Sequence, residues 1–184
     1  MSTAYELLNS NIIFKGHAFS VELILTCLPD GNQKVYELVR HSQAVTLVPI
    51  DTDGNIYFVR QYRIGAGQAL LELPAGVLEL DEDPAGGAGR EVREETGLAA
   101  GKLLKLGDFY MAPGYSSELI HVFLATNLYP APLPADADEF LEVESIPTQK
   151  VYEMLDAGLI RDGKTLAALL LARPYLPPPS TAHP

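Results

Sequence analysis

Three glutamates in the middle of the chain stand at a spacing that can do chemistry. Glu91, Glu94 and Glu95 follow one another at i, i+3 and i+4, so a helix places their carboxylates on one face. Like charges at this spacing repel, and the flanking Arg90 and Arg93 offset only part of the repulsion. A bound hard divalent cation would remove it, because such ions take carboxylate oxygens as ligands. The alternative interpretation is a solvated, charged helix face.

Local signals predict the helix that must position these carboxylates. Asp83 is a good N-cap, Pro84 suits the first helical position, and Gly97 suits the residue just past the end. The sequence therefore predicts a helix over residues 84–96. Three glycines lie in its first turns: Gly86, Gly87 and Gly89. Each costs about 0.5–1 kcal/mol relative to alanine, so packing against other elements must hold this helix.

Around this helix the sequence predicts strands and two later helices. Glycine-containing turns separate the predicted strands in the first half of the chain. They predict two hairpins: 19–28 with 34–40, and 44–50 with 56–62. Two further strands and two further helices follow: strands 102–111 and 119–128, helices 147–157 and 162–171. The predicted fold class is α+β, with a mixed sheet and few helices. We expect a small N-terminal strand-rich subdomain over 1–42, a main domain over 43–173 and a disordered tail over 174–184.

Charge and composition exclude several classes of protein. Thirteen Lys and Arg against 24 Asp and Glu give a net charge of −11, a poor match for the phosphates of nucleic acid. An anionic small molecule stays possible where metal ions or a few arginines reverse the local field. The single cysteine, Cys27, lies in an apolar run and indicates an inert thiol in a reducing compartment. The sequence shows neither a targeting segment nor a membrane span, so we expect a cytoplasmic protein.

The spacing around the three glutamates resembles the Nudix box at every defined position. Seven fixed letters and two aliphatic ones are matched: Gly76, Glu82, Arg90, Glu91, Glu94, Glu95 and Gly97, with Val92 and Leu98. The chain is thereby identified as a suspected member of the Nudix hydrolase family. The resemblance implies an α/β/α sandwich around a mixed sheet, and a loop, helix and loop that bind Mg²⁺, with Mn²⁺ as a substitute.

The same resemblance assigns roles to residues of the box. Glu91, Glu94 and Glu95 would ligate the metal, and the backbone carbonyl of Ala75 would complete the site. Arg90 would orient the carboxylates and pair with Glu82, which preorganises the metal shell. Arg90 and Glu94 are therefore also counted among the catalytic residues.

Features outside the box resemble the ADP-ribose pyrophosphatase branch of the family. Pro113 lies 16 residues after Gly97 and is followed by Gly114 in a loop similar to that of the branch, although a proline can simply shape a turn. Arg63 would contact substrate phosphate, because a guanidinium matches phosphate oxygens; the alternative is a surface arginine at a strand end. Glu72 would bind a ribose hydroxyl or belong to the outer metal shell.

Two more residues are assigned by position in that branch. Tyr36 is the candidate for stacking on adenine, with cross-strand packing as the alternative. Glu139, in an acidic loop resembling one that supplies a catalytic carboxylate, is the candidate general base, since the box glutamates are occupied by metal. Asp138 and Glu142 are the reserve candidates for that role, and solvation of the loop is the alternative.

These features together predict a Mg²⁺-dependent homodimer that hydrolyses ADP-ribose to AMP and ribose 5-phosphate. The resemblance implies that the N-terminal strands form the dimer. Two alternatives remain open. The first is a hydrolase of another nucleoside diphosphate sugar or a dinucleotide, and the second is a Nudix-like domain that senses a nucleotide without cleaving it. The intact set of box carboxylates argues against the second.

Overall fold

The computed structural model describes residues 4–134 and 140–178. Within them the chain forms ten strands: β1 (Glu6–Lys15), β2 (Phe19–Cys27), β3 (Gln33–His41), β4 (Ala44–Pro49), β5 (Asn55–Arg63), β6 (Gln68–Glu72), β7 (Ala75–Val77), β8 (Leu98–Tyr110), β9 (Leu119–Pro130) and β10 (Glu142–Pro147). Three α-helices accompany them: α1 (Pro84–Thr96), α2 (Thr148–Asp156) and α3 (Gly163–Ala172). A 3₁₀-helix, Arg173–Tyr175, follows α3.

The described chain divides into two compact units. The first contains the residues up to Gln43 together with Tyr110–Leu119, and the second contains Ala44–Phe109 and the residues from Ile120 onward. A loop from the middle of the chain thus belongs to the first unit.

The first unit is built on a three-stranded sheet in the order β1-β2-β3. Strands β2 and β3 pair antiparallel from Phe19–His41 to Cys27–Gln33, which confirms the predicted hairpin. Strand β1 is an edge strand with every side chain exposed. Apolar side chains are common along it, and Leu7 is 62% exposed. An edge strand of this kind offers both unpaired backbone groups and apolar surface.

The second predicted hairpin, 44–50 with 56–62, is wrong as a strand pair. A single antiparallel bridge joins Ile50 to Ile56. Beyond it, β4 lies in the sheet β7-β4-β9-β8 and β5 in the sheet β10-β5-β6. All six residues of β4 are buried, and both of its edges are taken by β7 and β9. With β9 along one edge of β4 and β7 on the other edge from Ala44 to Thr46, β5 leaves β4 after the turn and pairs with β6 and β10 instead.

In the second unit, the sheet that contains β4 lies between helices. On one face, Val45 and Leu47 of β4 and Phe123 of β9 pack with Ala88 and Val92 of α1. Side chains from the other face form a second core with α2 and α3: Val48, Val122 and Leu124 pack with Val151, Ala168 and Leu169. Strand β4 runs parallel to β9 and antiparallel to β7. The predicted α/β/α sandwich around a mixed sheet is therefore confirmed.

Helix α1 has the bounds that its caps predict. The Asp83 side chain accepts hydrogen bonds from the N–H groups of Ala85 and Gly86, and Gly97 ends the helix at φ 73°. Tertiary packing explains one of the three glycines. A Cβ on Gly87 would lie 2.4 Å from the Leu78 side chain, whereas one on Gly86 would meet nothing within 4 Å. Gly87 therefore allows Leu78 to pack closely against the helix, and a larger residue would force this side chain to shift.

The remaining helices differ from prediction only at their ends. Helices α2 and α3 begin one residue later than predicted, α2 ends one residue earlier and α3 one residue later. In the described part of the chain, none of the helices combines the length and apolar character needed to cross a membrane.

Candidate active site

The carboxylates of α1 face a short backbone segment at the start of β7. The N–H of Ala75 donates a hydrogen bond of 3.0 Å to Glu95 Oε2. A Cβ on Gly76 would lie 2.0 Å from the Glu91 carboxylate, so a larger residue at position 76 would displace this carboxylate from its place beside the backbone. Both glutamates are buried, at 7% and 5% exposure for Glu91 and Glu95. Burial of two acidic side chains beside one strand is costly unless a cation or donors compensate them.

Arg90 provides that compensation for Glu91, and it binds Glu94 as well. Its Nη1 donates to Glu91 Oε1 at 2.7 Å and to Glu94 Oε2 at 2.8 Å. Its Nε and Nη2 bind both oxygens of Glu82 at 3.0 and 2.9 Å. The pair with Glu82 that the resemblance implies is thus present, and Arg90 joins the preceding loop to Glu91 and Glu94, two of the three glutamates of α1.

These ion pairs fix the charge states around Arg90. The hydrogen bond to Glu82, aided by the charge of Glu91 and by the hydrogen bonds to Glu91 and Glu94, holds the pKa of Arg90 above its ordinary value. In turn, the Arg90 hydrogen bond lowers the pKa of Glu82. Glu82 Oε2 also accepts the N–H of Glu79 at 2.9 Å, so a hydrogen bond within the loop before α1 stabilises that loop.

A cavity of about 370 Å³ opens in front of these side chains. Its lining combines three carboxylates, two guanidiniums and the backbone of β7: Glu79, Glu91, Glu94, Arg63, Arg90, Ala75, Gly76 and Val77. Such a lining suits an anionic ligand held together with a cation, because the arginines attract anions and the carboxylates attract cations.

The donor set of the cavity fits a hard divalent cation. Its donors are carboxylate and backbone carbonyl oxygens, the ligands that Mg²⁺ and Mn²⁺ prefer. Across residues 4–134 and 140–178, no three acidic, imidazole or thiol groups converge on one point as they stand. Arg90 Nη1 instead lies between the carboxylates of Glu91 and Glu94. The Arg90 guanidinium therefore neutralises the carboxylates of Glu91 and Glu94, the same groups that would bind a divalent cation.

Arg63, at the end of β5, is held by a buried carboxylate. Its Nε donates to Glu72 Oε1 at 2.8 Å and its Nη2 to Glu72 Oε2 at 2.6 Å. Glu72 is 1% exposed, whereas 40% of the Arg63 side chain is exposed. Burial opposes ionisation of Glu72, but the hydrogen bonds from Arg63 and Lys164 outweigh it and lower the pKa of Glu72. The same pairing raises the pKa of Arg63.

Sequence reasoning missed Lys164 and Asp162. Lys164 Nζ bonds to Glu72 Oε2 and lies 3.0 Å from Asp162 Oδ2. Lys164 and Glu72 are 92 residues apart in the chain, so no local spacing connects them. The one available signal was Asp162 as a helix N-cap, which it is: its side chain accepts the N–H of Thr165 at 3.0 Å.

The other predicted site residues lie in the first unit, at the start of β10 or outside the described residues. Tyr36 is a half-buried residue of β3, and Lys34 Nζ lies 4.7 Å from the centre of its ring. Pro113 and Gly114 are exposed in a turn of the first unit. Glu139 and its neighbour Asp138 lie outside the described residues. Glu142, the other reserve candidate, is exposed at the start of β10.

Comparison with known proteins places this geometry in a family. A family model described as NUDIX domain matches residues 40–169. The chain is 35% identical over 159 residues to an ADP-ribose pyrophosphatase of Bacillus subtilis (strain 168), with 85% of this chain and 86% of that protein covered. It is 36% identical over 160 residues to a GDP-mannose pyrophosphatase of Escherichia coli (strain K12), with 76% and 82% covered.

A solved structure agrees over nearly the whole chain. The crystal structure of an ADP compounds hydrolase superposes with a TM-score of 0.84 at 29% sequence identity, covering 93% of each chain. The similarity extends through both compact units and is therefore not confined to the glutamate-bearing helix.

Proposed function

Since the chain belongs to the NUDIX family and is a hydrolase of pyrophosphate bonds in nucleoside diphosphate compounds, we propose that its substrate is ADP-ribose. Water cleaves the pyrophosphate bond and yields AMP and ribose 5-phosphate. The observation that carries the proposal is the cavity that Glu91, Glu94 and Arg63 line together with residues of β7. It joins cation ligands to a phosphate-binding guanidinium in one space.

A divalent cation, Mg²⁺ or in its place Mn²⁺, completes this site. Glu91, Glu94, Glu95 and the carbonyl of Ala75 would hold it. Bound there, the ion would activate water and neutralise charge that develops on the phosphate oxygens. An acidic protein can then accept an acidic substrate, because the cation lies between their negative charges.

Other side chains are assigned to phosphate binding, to the orientation of the carboxylates and to proton transfer. Arg63 binds the pyrophosphate, since its fork of donors matches phosphate oxygens. Arg90 holds Glu91 and Glu94 in orientation through hydrogen bonds of 2.7 and 2.8 Å, which preorganises the ligands. Glu139 is the proposed general base that takes the proton of the attacking water.

The nucleoside and ribose ends are assigned to residues outside the box. Tyr36 would stack on adenine, and Pro113 with Gly114 would shape the loop that contacts the substrate. Glu72 contributes through its pair with Arg63. These assignments rest on position in the sequence.

We also propose that the protein is a homodimer joined through its N-terminal strands and works in the cytoplasm. Strand β1 exposes Leu7, Ile12, Ile13 and Phe14 at 52% or more on the edge of its sheet. A second copy that covers this surface would satisfy both the unpaired edge and the apolar side chains.

A substrate panel tests the proposed function. The protein is assayed at fixed Mg²⁺ with ADP-ribose, ADP-glucose, GDP-mannose, NADH and diadenosine polyphosphates, and the products are quantified. The proposal expects kcat/KM for ADP-ribose to lead by about tenfold or more, a difference of about 1.4 kcal/mol in transition-state binding. A lead for another compound would keep the hydrolase and change its substrate. Binding without turnover of any compound would favour a nucleotide sensor.

A further inference from the structure

Glu72 is buried between two cations that come from distant parts of the chain. Arg63 of β5 binds both of its oxygens, and Lys164 of α3 binds Oε2. The Lys164 side chain is 13% exposed and Asp162, its second partner, is 14% exposed. Two cations and two carboxylates thus form a cluster with no net charge. We name these four residues, Arg63, Glu72, Asp162 and Lys164, the charge cluster.

The first turn of α3 is also fixed to the backbone that leads into the cavity. Thr165 is completely buried; its Oγ1 accepts the N–H of Leu73 at 2.8 Å and donates to Asp162 Oδ2 at 2.6 Å. The next carbonyl, that of Pro74, accepts the N–H of Leu47 at 2.9 Å. Both residues between Glu72 and the cavity residue Ala75 are therefore held by hydrogen bonds: Leu73 by Thr165 of α3 and Pro74 by Leu47 of β4.

The geometry of the charge cluster governs what Arg63 can present to a ligand. The bidentate pair uses Nε and Nη2 of Arg63, so Nη1 is the terminal nitrogen outside this pair. Arg63 also lines the cavity. A bidentate arginine pair fixes the plane of the guanidinium. Keeping that plane requires the Glu72 carboxylate to stay in place, and Lys164 is the second group that holds it.

We propose that Lys164 is a positioning residue for substrate binding, which acts through Glu72 to aim Arg63 at the phosphates of the nucleoside diphosphate. This rests on the proposed function, because it takes Arg63 as the phosphate-binding group. Lys164 itself does not touch substrate. Its ammonium is suited to the role because it binds Glu72 and Asp162 together.

Steady-state kinetics of Lys164→Met test this role. Misaiming Arg63 weakens the enzyme's hold on the phosphate in the ground state and the transition state alike, so KM rises by about tenfold while kcat changes by less than about threefold. Lys164→Arg, which keeps the positive charge, restores KM to within about threefold of the wild type. Lys150→Met is the matched control, because Lys150 forms an exposed pair with Glu153 on α2 and should leave both constants unchanged.

A double-mutant cycle separates positioning from a general structural effect. In an Arg63→Ala background, Lys164→Met should change KM by less than about twofold, because the residue through which it acts is gone. An equal effect of Lys164→Met with and without Arg63 overturns the proposal, as does an unchanged KM in the single variant. If Lys164→Met does not fold, Lys164→Gln enters the same cycle; failure of both to fold shows a structural requirement and overturns the proposal.

The role of Lys164 and the identity of the substrate fail under different experimental results. If the wild type prefers another nucleotide sugar, the substrate assignment fails, and the same cycle is run with that compound. If ADP-ribose is preferred but the cycle is additive, the substrate assignment stands and the role of Lys164 falls.

Discussion

At the scale of single residues, the site depends on charges that are paired in more than one way. Arg90 binds three glutamates, and Glu72 binds two cations. Each carboxylate therefore has a position set by protein donors before a ligand arrives. Such preorganisation reduces the cost of gathering like charges for a cation and an anionic substrate.

Glu95→Gln should lower kcat by at least about 100-fold, since even partners outside the ligand set of a metal cost 10–100-fold when lost. The fold should survive, because a glutamine oxygen can still accept the N–H of Ala75 that Glu95 accepts at 3.0 Å. The measurement is kcat at saturating Mg²⁺, beside a circular dichroism spectrum. Glu153→Gln on the exposed side of α2 is the control, and a near-normal kcat for Glu95→Gln would contradict the assignment.

Glu72→Gln should change the dependence of stability on pH. The folded-state pKa of Glu72 is lowered, so its ionisation stabilises the fold above the unfolded value of about 4.3. That contribution is lost as the pH falls through the folded-state pKa. The variant should be less stable at pH 7 by about 2 kcal/mol and should lose less stability than the wild type on acidification. Urea unfolding from pH 7 to pH 3 measures this; parallel curves for the two proteins would refute it.

At the scale of elements, the bounds of α1 could be predicted from neighbouring residues. The order of strands in the sheets depends instead on which distant strands pair with each edge. The bounds 84–96 follow from Asp83, Pro84 and Gly97, which act within one turn. The separation of β4 from β5 could not be predicted, because it depends on β7 and β9 occupying the edges of β4. The Glu72–Lys164 pair was missed for the same reason, since its partners are 92 residues apart.

The glycines of α1 give a matched test of packing. Gly87→Ala should destabilise the fold by about 1–3 kcal/mol, because the new methyl group would meet Leu78 at 2.4 Å. Gly86→Ala should be neutral or stabilise by up to about 1 kcal/mol, since its Cβ meets nothing within 4 Å. Free energies of unfolding in urea compare the two, and equal values would contradict the packing described for the loop before α1.

At the scale of the whole molecule, β1 presents an unpaired edge and apolar side chains that a second copy would cover. Sedimentation velocity should therefore give twice the chain mass of 20.0 kDa. Leu7→Glu should shift the protein toward monomer, because a charge in an apolar interface is costly. Leu159→Glu in the second unit is a matched control, since both leucines are 62% exposed. A wild-type monomer, or a dimer that Leu7→Glu leaves intact, would reject the proposed interface.

We propose that the carboxylates of α1 hold a divalent cation for the hydrolysis of ADP-ribose. The most direct test is to strip the protein with EDTA, remove the chelate, and follow AMP release from ADP-ribose as Mg²⁺ is returned. We expect no AMP from the stripped protein, and release that saturates with Mg²⁺ in the wild type but not in Glu95→Gln. AMP release at the full rate without a divalent cation would contradict it.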